Sequence, residues 1–241
     1  MGRRIRQRDL LPEDRLLGHT VHVVGCGAIG SNLAVQVGKM CGEHVNMVLW
    51  DDDEVSDENL SVQFFRKGDV GRPKAEVMAE IVADFDGPSS AQIQVRNERV
   101  TPDTILNGVV IVCVDSLEAR REIFDAAFNG GANLLIDGRM GAEVCRVWGI
   151  DMDSPDEIEA YRRVTWTDEP VVAAPCTAKA IVYTAFGVSS LMVATLKQWL
   201  TGVERKSEVV LNFKTMDWLA APSVARMKAE QAEADAKAEA A

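Results

Sequence analysis

The stretch Val21–Gly30, Val-His-Val-Val-Gly-Cys-Gly-Ala-Ile-Gly, constrains this chain more than any other. It predicts a short buried strand that turns through glycines into a helix beginning near Ser31-Asn32-Leu33-Ala34. In such a turn Gly25 lets the backbone reverse sharply, Gly27 lets it approach a phosphate, and Gly30 lets the helix pack closely on the strand. The helix N-terminus then aims unpaired N–H groups, and the positive end of its dipole, at the same point. A second apolar strand, Val45–Trp50, delivers Asp51 where an acid can hold a ribose hydroxyl. Strand, glycines, helix, strand and acid, in that order, predict a nucleotide site on an α/β fold. The expected architecture is Rossmann-like, a mostly parallel sheet with helices on both faces.

Charge narrows the function classes. Against 26 Lys and Arg stand 37 Asp and Glu, a formal net charge of −11. With no basic stripe to offset that repulsion, a protein that tracks nucleic-acid backbones is excluded. The five cysteines, Cys26, Cys41, Cys113, Cys145 and Cys176, include no Cys-x-x-Cys pair, so neither a zinc knuckle nor a disulfide framework is expected. A reducing, cytoplasmic setting is the expectation. The basic N-terminus has no apolar run of the secretory kind. The uncharged stretch 180–196 is short for a bilayer and is read as a helix for a core or subunit interface, with no membrane association.

Residues 3–16 are read as a short helix or arm with Arg3, Arg4, Arg6 and Arg8. Beyond Trp50, Asp51 and Asp53 fall on the same side of an extended strand end. Ser56 or Asp57 can cap a short helical turn holding Asn59 and Gln63. Gly71 and Pro73 punctuate a turn, and Lys74 opens a helix over 75–85. A lysine in a first helical turn is electrostatically misplaced unless it faces an anion. Strands are expected at 91–95, 108–114 and 133–137, and near 143–151. Asp115 follows the second of these, at the carboxyl end of a central strand, where it suits a ligand or an N-cap. A helix is expected over 117–128, a loop-like crossover over 154–174, a long helix over 178–200, and one or two strands over 207–218. Residues 1–220 form the expected domain, and 221–241 a charged, solvated tail.

Taken together, Val24-Gly-Cys-Gly-Ala-Ile-Gly-Ser31, Asp51-Asp-Asp-Glu-Val-Ser56 with Asn59, Leu60 and Gln63, Asp69-Val-Gly-Arg-Pro-Lys-Ala75 and Cys113-Val-Asp115 resemble the ThiF/MoeB-type adenylating enzymes. That superfamily includes the ubiquitin-activating enzymes, and the resemblance runs over about residues 3–202. It implies ATP and magnesium as cofactors, a homodimer, and a ubiquitin-like or sulfur-carrier protein or peptide whose C-terminal carboxylate becomes an acyl-adenylate. It further implies Gly25, Gly27 and Gly30 as the phosphate loop, Asp51 as the ribose ligand, Asn59 and Lys74 at the phosphates, and Asp53 and Gln63 as further nucleotide-binding residues. Asp115 would position magnesium or the reacting carboxylate, and Arg6, in Ile5-Arg6-Gln7, would reach the partner subunit's triphosphate. Val62 stands where the family has an arginine, so that contact is lost or supplied by Arg66 or Arg6. The family's paired Cys-x-x-Cys motifs are absent. Divergent bacterial, plasmid or phage members are the nearest in kind.

Cys176 follows Pro175 and precedes the long helix, where dipole and free N–H groups favour a thiolate that could receive the acyl group. Plain packing of a small cysteine near an N-cap also explains that position and needs no chemistry. Two other readings of the chain stand: a non-catalytic scaffold that keeps the fold, and a nicotinamide-dependent oxidoreductase, which the glycines and Asp51 alone permit.

Overall fold

Alternation along the first strands sets the layering. In β1 (His19–Val24) and β2 (Val45–Trp50), Val21, Val23, Met47 and Leu49 enter one apolar cluster, while Val24, Val48 and Trp50 enter another. β4 (Gly108–Val112) divides the same way, Val109 and Ile111 against Val110 and Val112. Strands buried on both faces require helices on both faces. The computed structural model, which describes residues 5–166, 181–224 and 227–228, has them. One face carries α1 (Ala28–Cys41), α2 (Lys74–Asp84) and α5 (Val182–Leu200). The other carries α3 (Leu117–Gly130) and α4 (Pro155–Thr165).

With β3 (Ile93–Arg96), β5 (Ala132–Gly141), β6 (Val144–Asp151), β7 (Glu208–Asn212) and β8 (Asp217–Ala221), the strands form one sheet in the order β3-β2-β1-β4-β5-β6-β7-β8. The run from β3 to β5 is parallel, and β5 to β8 is antiparallel. The chain moves outward from β1 through β2 to β3, then crosses back to β4 on β1's other flank. That reversal is the switch point at which open α/β sheets leave a crevice beyond their carboxyl ends.

Several expectations need correction. Residues 155–165 are a helix followed by one bend residue, not a loop-like crossover. Ser154 caps α4 by accepting from the Glu157 amide, Pro155 sits in the first turn, Asp156 and Glu157 follow, and Arg162 and Arg163 close it. These are strong end signals. They flank a thin apolar stripe in which only Ile158, Tyr161 and Thr165 are buried, so the periodicity is faint. The long helix begins at Val182, after an extended Ile181. The third strand starts two residues late, at Ile93. Residues 5–16 form turns and a single 3-10 turn, Glu13–Arg15, rather than a helix. Residues 3, 4, 167–180 and 229–241, with Cys176, most of the tail and the first expected turn of the long helix, lie outside the described residues.

The apolar character of α5 is largely satisfied within the chain. It packs on α1, β5 and β6, with Ala185, Val188, Met192, Leu196 and Leu200 buried, and the Ser189 hydroxyl donates to the Ile29 carbonyl at 3.0 Å. Ile181, Val182, Tyr183 and Phe186, at its N-terminal end, stay exposed. No described helix is long and apolar enough to cross a membrane.

Candidate functional site

A cleft of about 1050 Å³ opens at the switch point, lined by the glycine turn after β1, the acidic run after β2 and the start of α3. Backbone geometry shapes the glycine turn. Gly25 has φ +93, and a Cβ there would meet the Cys113 backbone at 3.0 Å. A Cβ on Gly30 would lie 1.7 Å from the Gly25 carbonyl oxygen, so the first turn of α1 closes directly on the loop. Gly27, the N-cap of α1, would place a Cβ in open space on the cleft side. The turn is therefore a bare backbone cradle with helix N–H groups beneath it, the form that anions occupy. The helix starts three residues earlier than Ser31-Asn32, at Ala28.

Asp51 joins this turn to the next strand. Its Oδ2 accepts from the Cys26 amide at 2.6 Å and its Oδ1 from the Asp53 amide at 2.9 Å. Burial pushes its pKa up, while the Cys26 amide and the Lys74 charge pull it back. Lys74 is no ordinary surface lysine: it is 6 % exposed, and its ammonium lies 2.7 Å from Asp53 Oδ2. Its own amide donates to the Asp53 carbonyl at 2.9 Å, which seats the start of α2 against the end of β2. The preceding loop is knotted on Asp69, which accepts from the Arg66 amide at 2.8 Å and Nε at 3.1 Å. Arg72 lies 3.5 Å away on its other oxygen. Burial pushes the Asp69 carboxyl up, but the Arg66 amide and guanidinium and the Arg72 charge outweigh it and hold the pKa low.

Asn59 and Gln63 border the cleft together with Val62. Asn59 Oδ1 accepts from the Ser56 amide at 3.0 Å, leaving its amide nitrogen for another acceptor. Asp115 is exposed in the cleft, and it is not the N-cap: the cap of α3 is Ser116, whose hydroxyl accepts from Ala119 N at 3.0 Å. Glycine turn, Asp51, Asp53, Asn59, Gln63, Lys74 and Asp115 thus converge on one cleft. Arg66 does not join them, because Asp69 and Asp84 hold it elsewhere. Arg6 is exposed and does not line the cleft of its own chain. Val62 packs its apolar side chain toward the core.

Two features escape a reading of the sequence. Arg99, after β3, enters the cleft wall with its Nε 2.8 Å from Asp52. Arg120, in the second turn of α3, also borders the cleft and belongs to a buried network around Asp137. No local sequence pattern marks either, because their partners lie 47 and 17 residues away along the chain. Lys74, Arg99 and Arg120 are the cations of the lining, against many carboxylates, including Asp51, Asp52, Asp53, Glu58, Glu98, Asp115 and Glu118. Carboxylate oxygens of Asp51, Asp52 and Asp53 come within 4.8 Å of one another. Such hard oxygen donors suit magnesium. The four described cysteines are buried; burial pushes the Cys26 and Cys113 thiols up strongly and Cys145 up to about 12, so none is a ready nucleophile.

Known proteins share the sequence and the fold. Human ubiquitin-like modifier-activating enzyme 7 is 33% identical over 152 residues, 58% of this chain and 14% of its own length. Arabidopsis thaliana ubiquitin-activating enzyme E1 2 is 32% identical over 137 residues, 51% of this chain and 12% of its own. The chain thus spans a small part of these relatives. The structure of E. coli MccB with ATP superposes with a TM-score of 0.65 at 14% identity, covering 87% of this chain and 65% of MccB. PaaA gives 0.62 at 17% identity, with the same coverage. These likenesses carry the fold. The model of the ThiF family matches residues 4–238, nearly the whole length, and the chain belongs to that family.

Proposed function

We propose that this chain is an ATP-dependent adenylyltransferase acting on the C-terminal carboxylate of a ubiquitin-like or sulfur-carrier protein or a peptide. One observation carries the reading: Lys74, a buried cation at a helix start, shares a cleft with an open glycine cradle and with Asp115. A hydride-transferring enzyme has no need of that cation. The names of the relatives, ubiquitin-activating enzymes, and of MccB structures with ATP, or with AMPCPP and MccA, support it.

In this reading the phosphates lie on the Gly25–Gly30 turn and the α1 N-terminus. Asp51, its oxygens already oriented by two amides, takes the ribose hydroxyls, with Asp53 beside it. Lys74 leaves Asp53 for the phosphates, helped by Asn59 and Gln63. The donor set fits magnesium, with Asp115 as the proposed ligand: a triphosphate in a cleft where carboxylates outnumber cations needs divalent charge to bind. Bound magnesium would neutralise phosphate charge. A carboxylate oxygen of the substrate attacks the α-phosphorus, the bond to the bridging oxygen of pyrophosphate breaks, and pyrophosphate leaves. No proton moves in that step, so catalysis is positioning and charge stabilisation. A thiol or sulfide then attacks the acyl carbon and releases AMP. Cys176 is the proposed thiol of this chain, since the described cysteines are buried. A homodimer is part of the reading, with Arg6 serving the partner's phosphates. Its arm is tied down by Gln7, whose amide nitrogen donates to the Met40 carbonyl at 2.8 Å.

Val62 in place of an arginine favours a second reading, a non-catalytic scaffold. ATP–pyrophosphate exchange, run with carrier proteins and peptides of varied C-termini, separates the two. Exchange that depends on a C-terminal carboxylate supports adenylation; ATP binding without exchange on any of them supports the scaffold.

A further inference from the structure

Beneath the cleft lies a buried charge network that the proposed chemistry leaves unused. Asp137, fully buried in β5, pairs in register with Val112, the last residue of β4. Its carboxylate accepts from Arg120, from Arg139 Nε at 2.8 Å and from the Tyr161 hydroxyl at 2.9 Å, with Arg139 Nη2 lying 2.7 Å from it. Arg120 is 2 % exposed, and its other amino group donates to the Val114 carbonyl, one residue before Asp115. Burial holds Tyr161 as a neutral phenol, so two guanidinium groups face one carboxylate.

Such a cluster is a poor source of stability, because desolvating the charges costs about what their attraction returns. What it supplies is direction. A guanidinium is a planar fork that bonds two acceptors at fixed angles, which an ammonium on a flexible stem does not. Here one prong meets Asp137 and the other meets Val114. The rest of the turn is pinned at both ends, by Cys113 N to the Val24 carbonyl at 2.8 Å and by the Ser116 cap. Between these anchors the Asp115 side chain stands exposed in the cleft.

We infer that Arg120 is a positioning residue for Asp115: its guanidinium, locked by Asp137, fixes the Val114–Asp115 peptide and with it the direction of the Asp115 carboxylate. The inference rests on the adenylation reading, in which Asp115 works in the cleft. Arg120→Lys keeps the charge and loses the fork.

In the ligand-free protein, amide hydrogen exchange over 114–117 should rise about tenfold in Arg120→Lys, with the second half of α3 unchanged. Should Arg120→Lys fail to fold, Asp137→Asn, which keeps both arginines, should give the same pattern at smaller amplitude. In pyrophosphate exchange, kcat should fall about ten- to a hundredfold while KM for ATP shifts little. The double variant Arg120→Lys/Asp115→Asn should be no slower than Asp115→Asn alone, since coupled residues do not add. Additive losses, or unchanged amide exchange over 114–117 in the variants that fold, overturn the inference. The amide pattern in the variants, together with no pyrophosphate exchange by the wild-type protein on any carrier, overturns the proposed function and leaves the link between Arg120 and Asp115 standing.

Discussion

A lysine that is 6 % exposed at the start of a helix sits where the dipole disfavours it and where water barely reaches it. Asp53 compensates its charge, and an incoming phosphate would compete for the same ammonium. Lys74→Ala and Asp115→Ala are therefore each expected to lower pyrophosphate exchange by about 10²–10³. Circular dichroism and melting should show both variants folded; exchange within a few-fold of wild type in either would remove that residue from the site. Asp69 makes a different, pH-dependent contribution. Its carboxyl is held low in the folded protein, so its stabilisation is present above the ordinary aspartate pKa of about 3.9 and is lost as pH falls through the depressed value. Asp69→Asn should flatten the acid limb of stability against pH and loosen the loop that leads to Lys74. A variant with an acid limb identical to wild type would contradict that sign.

At the scale of elements, the strand–glycine–helix unit was legible because each piece has its own local cause. Gly25 needs a positive φ, and Gly30 must lack a side chain to pass the Gly25 carbonyl. Gly30→Ala is accordingly expected to destabilise by about 1–3 kcal/mol, read as a lowered melting temperature; an unchanged midpoint would mean that the turn has room. Lys74, Asn59 and Asp115 were legible as positions, while what holds them was not. The Asp137 network joins residues 17 and 24 apart, on a strand, a helix start and the middle of another helix, so no local pattern announces it. The α4 helix was missed for the opposite reason. Its caps were plain in Ser154-Pro155-Asp156-Glu157, but its core-facing stripe is too thin to give a helical period.

For the whole molecule, α5 takes the first of the two places its sequence allowed, a core or a subunit interface. Its apolar length serves mainly its own core, and the surface left for a partner is an aromatic strip. Phe85, Phe64 and Phe186 touch in succession, and Tyr183 leans on Phe213. Phe85, Phe186 and Tyr183 are each at least 40 % exposed. Contiguous apolar surface of this kind marks interaction sites. Sedimentation at micromolar concentration should report a dimer. Phe186→Glu should shift it toward monomer, and Arg6→Ala should slow adenylation while leaving the dimer intact. A fully active monomer would refute the dimeric reading.

The central claim is that the cleft holds a triphosphate through Lys74, and it can be measured without knowing the carrier. Calorimetric titration of the protein with ATP, in magnesium and in chelator, beside a titration with NAD, addresses it directly. Expected are saturable ATP binding that needs magnesium, at least about tenfold weaker binding in Lys74→Ala, and no heat with NAD. Saturable NAD binding without ATP binding, or an Lys74→Ala variant that binds ATP as wild type does, would contradict it.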